Sequence, residues 1–267
     1  MWSERQQAML RQIGLRVWSA PLATPASAPV TETAAATAAP AIEPAARASR
    51  PAATAAAPVA AAVTAALRAD VATLDWPALR EAVAACRACG LCESRTQTVF
   101  GVGHPQAHWL VVGEAPGEQE DLQGEPFVGA AGQLLDRMLA ALQLTRSVDG
   151  DAPPARRVYI ANTLKCRPPR NRNPAAQEMA QCEPYLQRQI ELLQPRMILA
   201  MGRFAVQSLL RSEEPIGRLR GRVHRYHGVP LVVTYHPAYL LRNLPDKARA
   251  WEDLCLAAGV ARATRAP

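Results

Sequence analysis

The chain has 267 residues, with 30 Lys plus Arg, 23 Asp plus Glu and six Cys, enough for one substantial domain with additional segments. Residues 1–75 hold six basic and five acidic groups; the remaining 24 basic and 18 acidic groups place the positive excess in the later part, where it favours a polyanionic partner. Pro interrupts the Ala-rich run that would otherwise suggest a membrane span, and Glu4, Arg5, Gln6 and Gln7 stand where a signal peptide needs apolar residues, so a cytoplasmic chain with no membrane segment is expected. In that compartment clustered thiols read as metal ligands or redox groups, not disulfides.

In chain order, the head "RQQAMLRQIGLRVWSAP" repeats Met9, Ile13 and Val17 at helical spacing, which suits a short element at 1–19 docking on another protein. Residues 20–67 contain 23 Ala and 7 Pro and no aromatic residue. Such a segment has little bulky apolar surface to offset chain entropy, so a disordered linker is expected over 20–75. Cys86, Cys89 and Cys92 follow, with Cys166 and Cys182 far downstream. Two thiolates three apart plus two from separate elements satisfy a structural zinc or a 4Fe-4S cluster, and spacing alone does not choose between Cys92 and the distant cysteines. Cys255, in an apolar stretch, reads as a buried small side chain.

Beyond residue 76, strand-like runs at 108–112, 158–161, 197–201 and 231–235 alternate with helix-like segments at 133–142, 175–193, 203–211 and about 246–258. This alternation predicts an α/β domain over 76–262 whose parallel sheet is covered on both faces. Ligands of such folds sit beyond the carboxyl ends of the strands. Those ends carry Glu114, Asn162, Gly202 and His236, which are expected around one crevice. The first of them opens "GEAPGEQEDLQGEPFVGAAG", residues 113–132, with five Gly and five acidic residues. A phosphate cradle would not be lined with acid.

The pieces "RTQTVFGVG", "GEAPGEQED", "GEPFVGAAGQLLD", "YIANTLKCRPPRNRNP", "MGRFA" and "YHPAYLLRN", with Cys86-x2-Cys89 and Cys182, together resemble the family 4 (iron-sulfur) uracil-DNA glycosylases over about residues 84–258. The resemblance implies a three-layer αβα sandwich with a four-stranded parallel sheet. It also implies a structural 4Fe-4S cluster on Cys86, Cys89, Cys166 and Cys182, with Cys92 outside the pattern. Lys165, Arg167, Arg170 and Arg172 would then meet DNA phosphates, joined by Arg242. Leu240, four residues past His236, would enter the base stack as a wedge.

In the site so implied, Phe127 lies against the everted base and Asn162 reads its edge, with Ala115 and Gly117 lining the same pocket. His236 donates to uracil O2, and Glu114 orients the attacking water, with Glu120 and Asp121 as alternatives. Better-known uracil glycosylases carry aspartate at the position of Ala115 and a thymine-blocking aromatic ring at that of Gly117, so the way thymine is excluded stays open. The loop "KCRPPRNRNP" has no histidine, which argues against a covalent uracil adduct. The expected function is a monomeric, monofunctional DNA-repair glycosylase hydrolysing the N-glycosidic bond of uracil in DNA. The alternatives are a non-catalytic iron-sulfur nucleic-acid adaptor and a glycosylase of broader deaminated-base range. The head resembles the amino-terminal peptide of the psi subunit, which implies docking on the replicative clamp loader through residues 1–19.

Overall fold

A computed structural model describes residues 70–264. The peptide at 1–19 and the linker up to residue 69 lie outside the described residues. Residues 70–75, assigned to the linker on composition, belong to the domain: Val71 is buried, and Leu74 packs on the same cluster. Asp75 caps helix α1 (Trp76–Ala85), its carboxylate accepting from Ala78 N at 3.0 Å with proline in the first turn.

The remaining elements are α2 (Leu91–Ser94), β1 (Val102–Gly103), β2 (Trp109–Gly113), α3 (Glu118–Gln123), α4 (Ala130–Ala141), β3 (Val158–Asn162), α5 (Ala176–Leu193), β4 (Met197–Met201) and α6 (Arg203–Leu210). After them come α7 (Ile216–Leu219), β5 (Val223–Tyr226), β6 (Val229–Thr234), α8 (Pro237–Leu240) and α9 (Asp246–Ala263). The strands form one sheet in the order β1-β3-β2-β4-β6-β5. Its four central strands are parallel, as expected, and β1 and β5 add an antiparallel strand at either edge. The β5–β6 hairpin closes through His227 and Gly228, with φ of 45° and 85°, as a two-residue turn of the primed kind demands.

Each central strand is apolar on both sides, and the alternation along β2 shows why. Trp109 and Val111 enter a core with Leu135, Met138 and Leu139 of α4 and Trp251 and Leu254 of α9. Leu110 and Val112 enter the opposite core with Leu186 and Ile190 of α5 and Val206 of α6. The result is the expected αβα sandwich, in which each fully buried leucine contributes about 1.5–3 kcal/mol. A smaller cluster seats α1 on α5, where Trp76 meets the rings of Phe100 and Tyr159 edge-on at 5.6 and 5.1 Å. Among the described residues no helix is long and apolar enough to cross a membrane.

One polar device ties the last helix to the sheet. Asp253 of α9 is fully buried and accepts from Thr234 Oγ1 at 2.9 Å, Arg220 Nε at 3.1 Å and Gly221 N at 3.1 Å. Arg220 therefore faces inward from a basic stretch, 217–228, that carries four Arg. Breaking a buried pair costs about 3–5 kcal/mol, and Glu252 retains a 2.9 Å hold on Arg220. Asp253→Ala is thus expected to lower stability by about 3 kcal/mol, seen as a lower urea midpoint with an unchanged slope. An unshifted midpoint would remove Asp253 from this role.

Candidate active site

The carboxyl ends of the parallel strands open into a cleft of about 680 Å³. Its position follows from register. Gly113 pairs with Asn162 at the last step of β2 and β3, and two further backbone bonds, Thr163 N to Gly113 O and Leu164 N to Glu114 O, carry the pairing past the strands. Glu114 and Asn162 are thereby held side by side. A Cβ on Gly113 would stand 2.4 Å from Asn162 Oδ1 and 2.6 Å from the Phe127 ring. The missing side chain is what lets the amide and the phenyl ring share one space.

Asn162 is 2% exposed, and its Oδ1 is buried without a hydrogen-bonding partner among the described residues. A buried acceptor left unpaired costs about 1–3 kcal/mol. The Phe127 ring lies 5.3 Å from the His236 ring at an interplanar angle of 28°. His236 follows β6 and caps α8, its Nδ1 accepting from Ala238 N at 3.2 Å, which leaves the proton on Nε2. Burial lowers its pKa to about 4; Arg242 pushes the same way and Glu120 opposes. The imidazole is therefore a neutral donor at pH 7. Gly202 makes room for it, since a Cβ there would come within 3.1 Å of His236 Cβ.

The acidic loop divides by what its oxygens accept. Glu120 takes the N–H groups of Gly117 at 3.0 Å, Val128 at 3.0 Å and Gly129 at 3.3 Å, lashing the loop together at the cleft wall. A Cβ on Gly117 would stand 2.7 Å from this carboxylate. Asp121 is buried and accepts from Thr96 N at 3.0 Å and Gln97 N at 3.4 Å, facing the 96–97 backbone instead of the cleft. Its candidacy as a water-orienting acid is corrected accordingly. The Glu114 carboxylate faces the cleft with no hydrogen-bonding partner among the described residues. Burial raises its pKa and Arg203 opposes. Ala115 and Gly117 line the same cleft.

Two expected DNA contacts are overturned. Lys165 is 1% exposed, and its Nζ donates to the Asn162 carbonyl at 2.8 Å and to Gln189 Oε1 at 2.7 Å. An ammonium so buried and paired meets no phosphate; burial lowers its pKa to about 8, with Cys182 and Cys166 opposing. Leu240 is 1% exposed and sits in the core beside α4, so it is no wedge. The apolar side chains that the fold presents there are Leu241 and Leu244, 42% and 55% exposed. Of the arginines, Arg172 and Arg242 line the cleft and Arg170 is exposed. Arg167 is held by Asn171 at 2.8 Å, and Arg172 by Glu178 at 2.9 Å.

Cys86, Cys89, Cys92, Cys166 and Cys182 line one separate cavity between α1, α2, α5 and the loop after β3. Arg95 donates to Cys166 Sγ at 3.0 Å and Lys165 N to Cys182 Sγ at 3.2 Å. Burial raises the thiol pKa values of Cys89 and Cys166, and that of Cys182 to about 12. Among the described residues no three His, Cys, Asp or Glu side chains are set to hold a single metal ion. Cys92, outside the expected ligand set, lines this cavity as well. Cys255 is only half-buried, packed against the α9 face of the sheet core.

The family model for the uracil DNA glycosylase superfamily matches residues 100–255. A type-4 uracil-DNA glycosylase of Archaeoglobus fulgidus is 43% identical over 167 residues, 60% of this chain and 79% of the relative. Those of Pyrobaculum aerophilum and Thermotoga maritima are 40% and 39% identical, covering 68% and 63% of this chain and 93% and 84% of the relatives. With the cleft, the strand-end residues and these likenesses in agreement, the chain belongs to the uracil DNA glycosylase superfamily, in its type-4 branch.

Proposed function

We propose that this chain is a DNA-repair enzyme that hydrolyses the N-glycosidic bond of uracil in DNA and leaves an abasic site. The observation that carries the reading is Oδ1 of Asn162, without a partner among the described residues and buried near the Phe127 ring at the floor of the cleft. Uracil in a duplex is stacked and paired, so the nucleotide must leave the helix to reach that floor. There the phenyl ring supplies a stacking face. Oδ1 accepts from uracil N3–H while the amide nitrogen donates to O4. Cytosine offers a bare N3 and a donor at N4, which mismatches both groups.

Cleavage places negative charge on the uracil oxygens and cationic character on the sugar. The neutral His236 donates from Nε2 toward O2, stabilising the departing anion as an oxyanion hole does. Glu114, lining the cleft with no hydrogen-bonding partner for its carboxylate among the described residues, orients the water and balances the sugar cation. Arg170, Arg172 and Arg242 at the rim meet the phosphates, and Leu241 takes the wedge role that Leu240 is too deep to perform.

The thiol cavity suits a metal centre because five cysteine sulfurs line it, a donor set that a 4Fe-4S cluster and a four-cysteine zinc share. Cys86, Cys89, Cys166 and Cys182 would hold a 4Fe-4S cluster, and its contribution there is covalent bracing of the loop after β3 against the segment before β1. The purified protein is expected to contain iron and acid-labile sulfide in equal amounts and no zinc. Cys182→Ser should lose them and Cys92→Ser retain them; loss of iron with Cys92→Ser would reassign the ligands.

The functional reading is tested with oligonucleotides bearing uracil, hypoxanthine or a thymine mismatch, scored for alkali-labile abasic sites. Uracil strands should be cut and thymine strands left intact; no cutting of any strand would favour the adaptor. Asn162→Ala, losing two hydrogen bonds to the base, is expected to slow uracil release about 10–100-fold with DNA binding retained. Full activity would exclude Asn162 from base reading.

The protonation of His236 gives a separate check. Its folded pKa near 4 lies below the unfolded value of about 6.5. Between those values the unfolded chain takes a proton that the native site refuses, so the stability from this group is full above about pH 6.5 and declines as pH falls toward 4. Nitrogen-15 spectra of labelled histidine should show His236 neutral at pH 5.5, and His236→Gln should lower kcat about 10²–10³-fold. A residue found charged at pH 5.5 would contradict the neutral-donor mechanism.

A further inference from the structure

Phe127 has φ of +56°, a left-handed conformation that a phenylalanine adopts only where its surroundings impose it. Its carbonyl and the one before it are held from outside the cleft. Arg146 donates from Nη1 to the Pro126 carbonyl at 2.9 Å and from Nη2 to the Phe127 carbonyl at 3.0 Å. Successive carbonyls point to opposite sides of an extended chain and to the same side of a helical one. A single planar fork therefore reaches both only when residue 127 is helical in geometry. Asp136 of α4 anchors the fork at 2.7 Å, with Glu125 at 3.7 Å. Gly132 leaves room for the turn, because a Cβ there would stand 1.7 Å from the Phe127 carbonyl oxygen. From the cleft side, Glu120 takes the next two N–H groups, those of Val128 and Gly129.

We propose that Arg146 is a positioning residue for uracil release: without lining the cleft, it clamps two successive carbonyls and so fixes the Phe127 ring over the base floor. The inference rests on the stacking role given to Phe127 above. Lysine would keep the charge beside Asp136, but a point donor does not bridge two carbonyls as the guanidinium fork does.

The test uses the full chain carrying Arg146→Met or Arg146→Lys, alone and combined with Phe127→Ala. Arg146→Met should lower kcat about 10–100-fold on a uracil-containing oligonucleotide, with KM little changed, and Arg146→Lys should restore thermal stability without restoring kcat. In the Phe127→Ala background Arg146→Met should add no further loss, whereas additive losses would overturn the inference. A readout independent of activity comes from the three phenylalanines of the chain. With carbon-13-labelled phenylalanine, Arg146→Met should shift or broaden the Phe127 resonance while Phe100 and Phe204, which report a folded domain, stay in place. An unmoved Phe127 resonance sinks the clamp whatever the enzyme does. A wild-type chain that releases no uracil overturns the glycosylase reading instead, and is told apart because the Phe127 signal still moves in Arg146→Met.

Discussion

The cleft depends on the absence of a side chain at the last residue of β2. Parallel register sets Gly113 beside Asn162, and the vacant Cβ direction is filled from two sides, by the carboxamide oxygen of Asn162 and the ring of Phe127. Packing of this kind fixes both groups without a hydrogen bond between them. That is the arrangement a reader of base edges requires, because an amide satisfied within the protein would have nothing left to offer a ligand. The rigidity comes from the sheet, whose central strands are buried on both faces, and the sheet leaves Oδ1 of Asn162 without a hydrogen-bonding partner among the described residues.

The acidic loop looks at first like a poor neighbour for a polyanion, and its internal bonding resolves the conflict. Most turns satisfy their N–H groups with backbone carbonyls or water, but here the oxygens of Glu120 and Asp121 take five N–H groups of the surrounding backbone, those of residues 96, 97, 117, 128 and 129. Charge held against several N–H dipoles is spent locally and projects little field toward a phosphate. Glu114 differs in having no such partners among the described residues. Glu114 is thus set apart from Glu120 and Asp121, whose oxygens are taken by backbone N–H groups.

The sandwich was legible because each central strand is a short, mostly apolar run and α4, α5 and α6 are amphipathic. The edge strands were not: β1 is two residues long, and β5 alternates exposed and half-buried residues in a segment rich in arginine. Asn162, His236 and Glu114 could be placed from strand ends alone, since topology delivers those positions to one side of the sheet. Depth was the quantity hidden from spacing. Leu240 and Leu241 are adjacent in sequence, yet a single helical turn sends one into the core and the other to the surface. Lys165 reads as one more cation of a basic loop, and its partner Gln189 lies 24 residues further on, a pairing that local pattern does not encode. The left-handed Phe127 was invisible for the same reason: its cause, Arg146, is 19 residues away on a different loop.

Lys165 also links the thiol cavity to the cleft. Its backbone N–H bonds to the sulfur of Cys182, and its ammonium bonds to the carbonyl of Asn162. Gln189 completes the joint by accepting from the ammonium and donating to the Phe100 carbonyl at 2.9 Å. An ammonium buried this deeply is tolerable only while its acceptors stay in place. Any shift of the loop that carries Cys166 would pull the lysine from Asn162, and any shift of Asn162 would strand the charge. Lys165 therefore couples the wall of the thiol cavity to the floor of the cleft, giving any bracing at the cysteines a direct mechanical route to the carboxamide of Asn162.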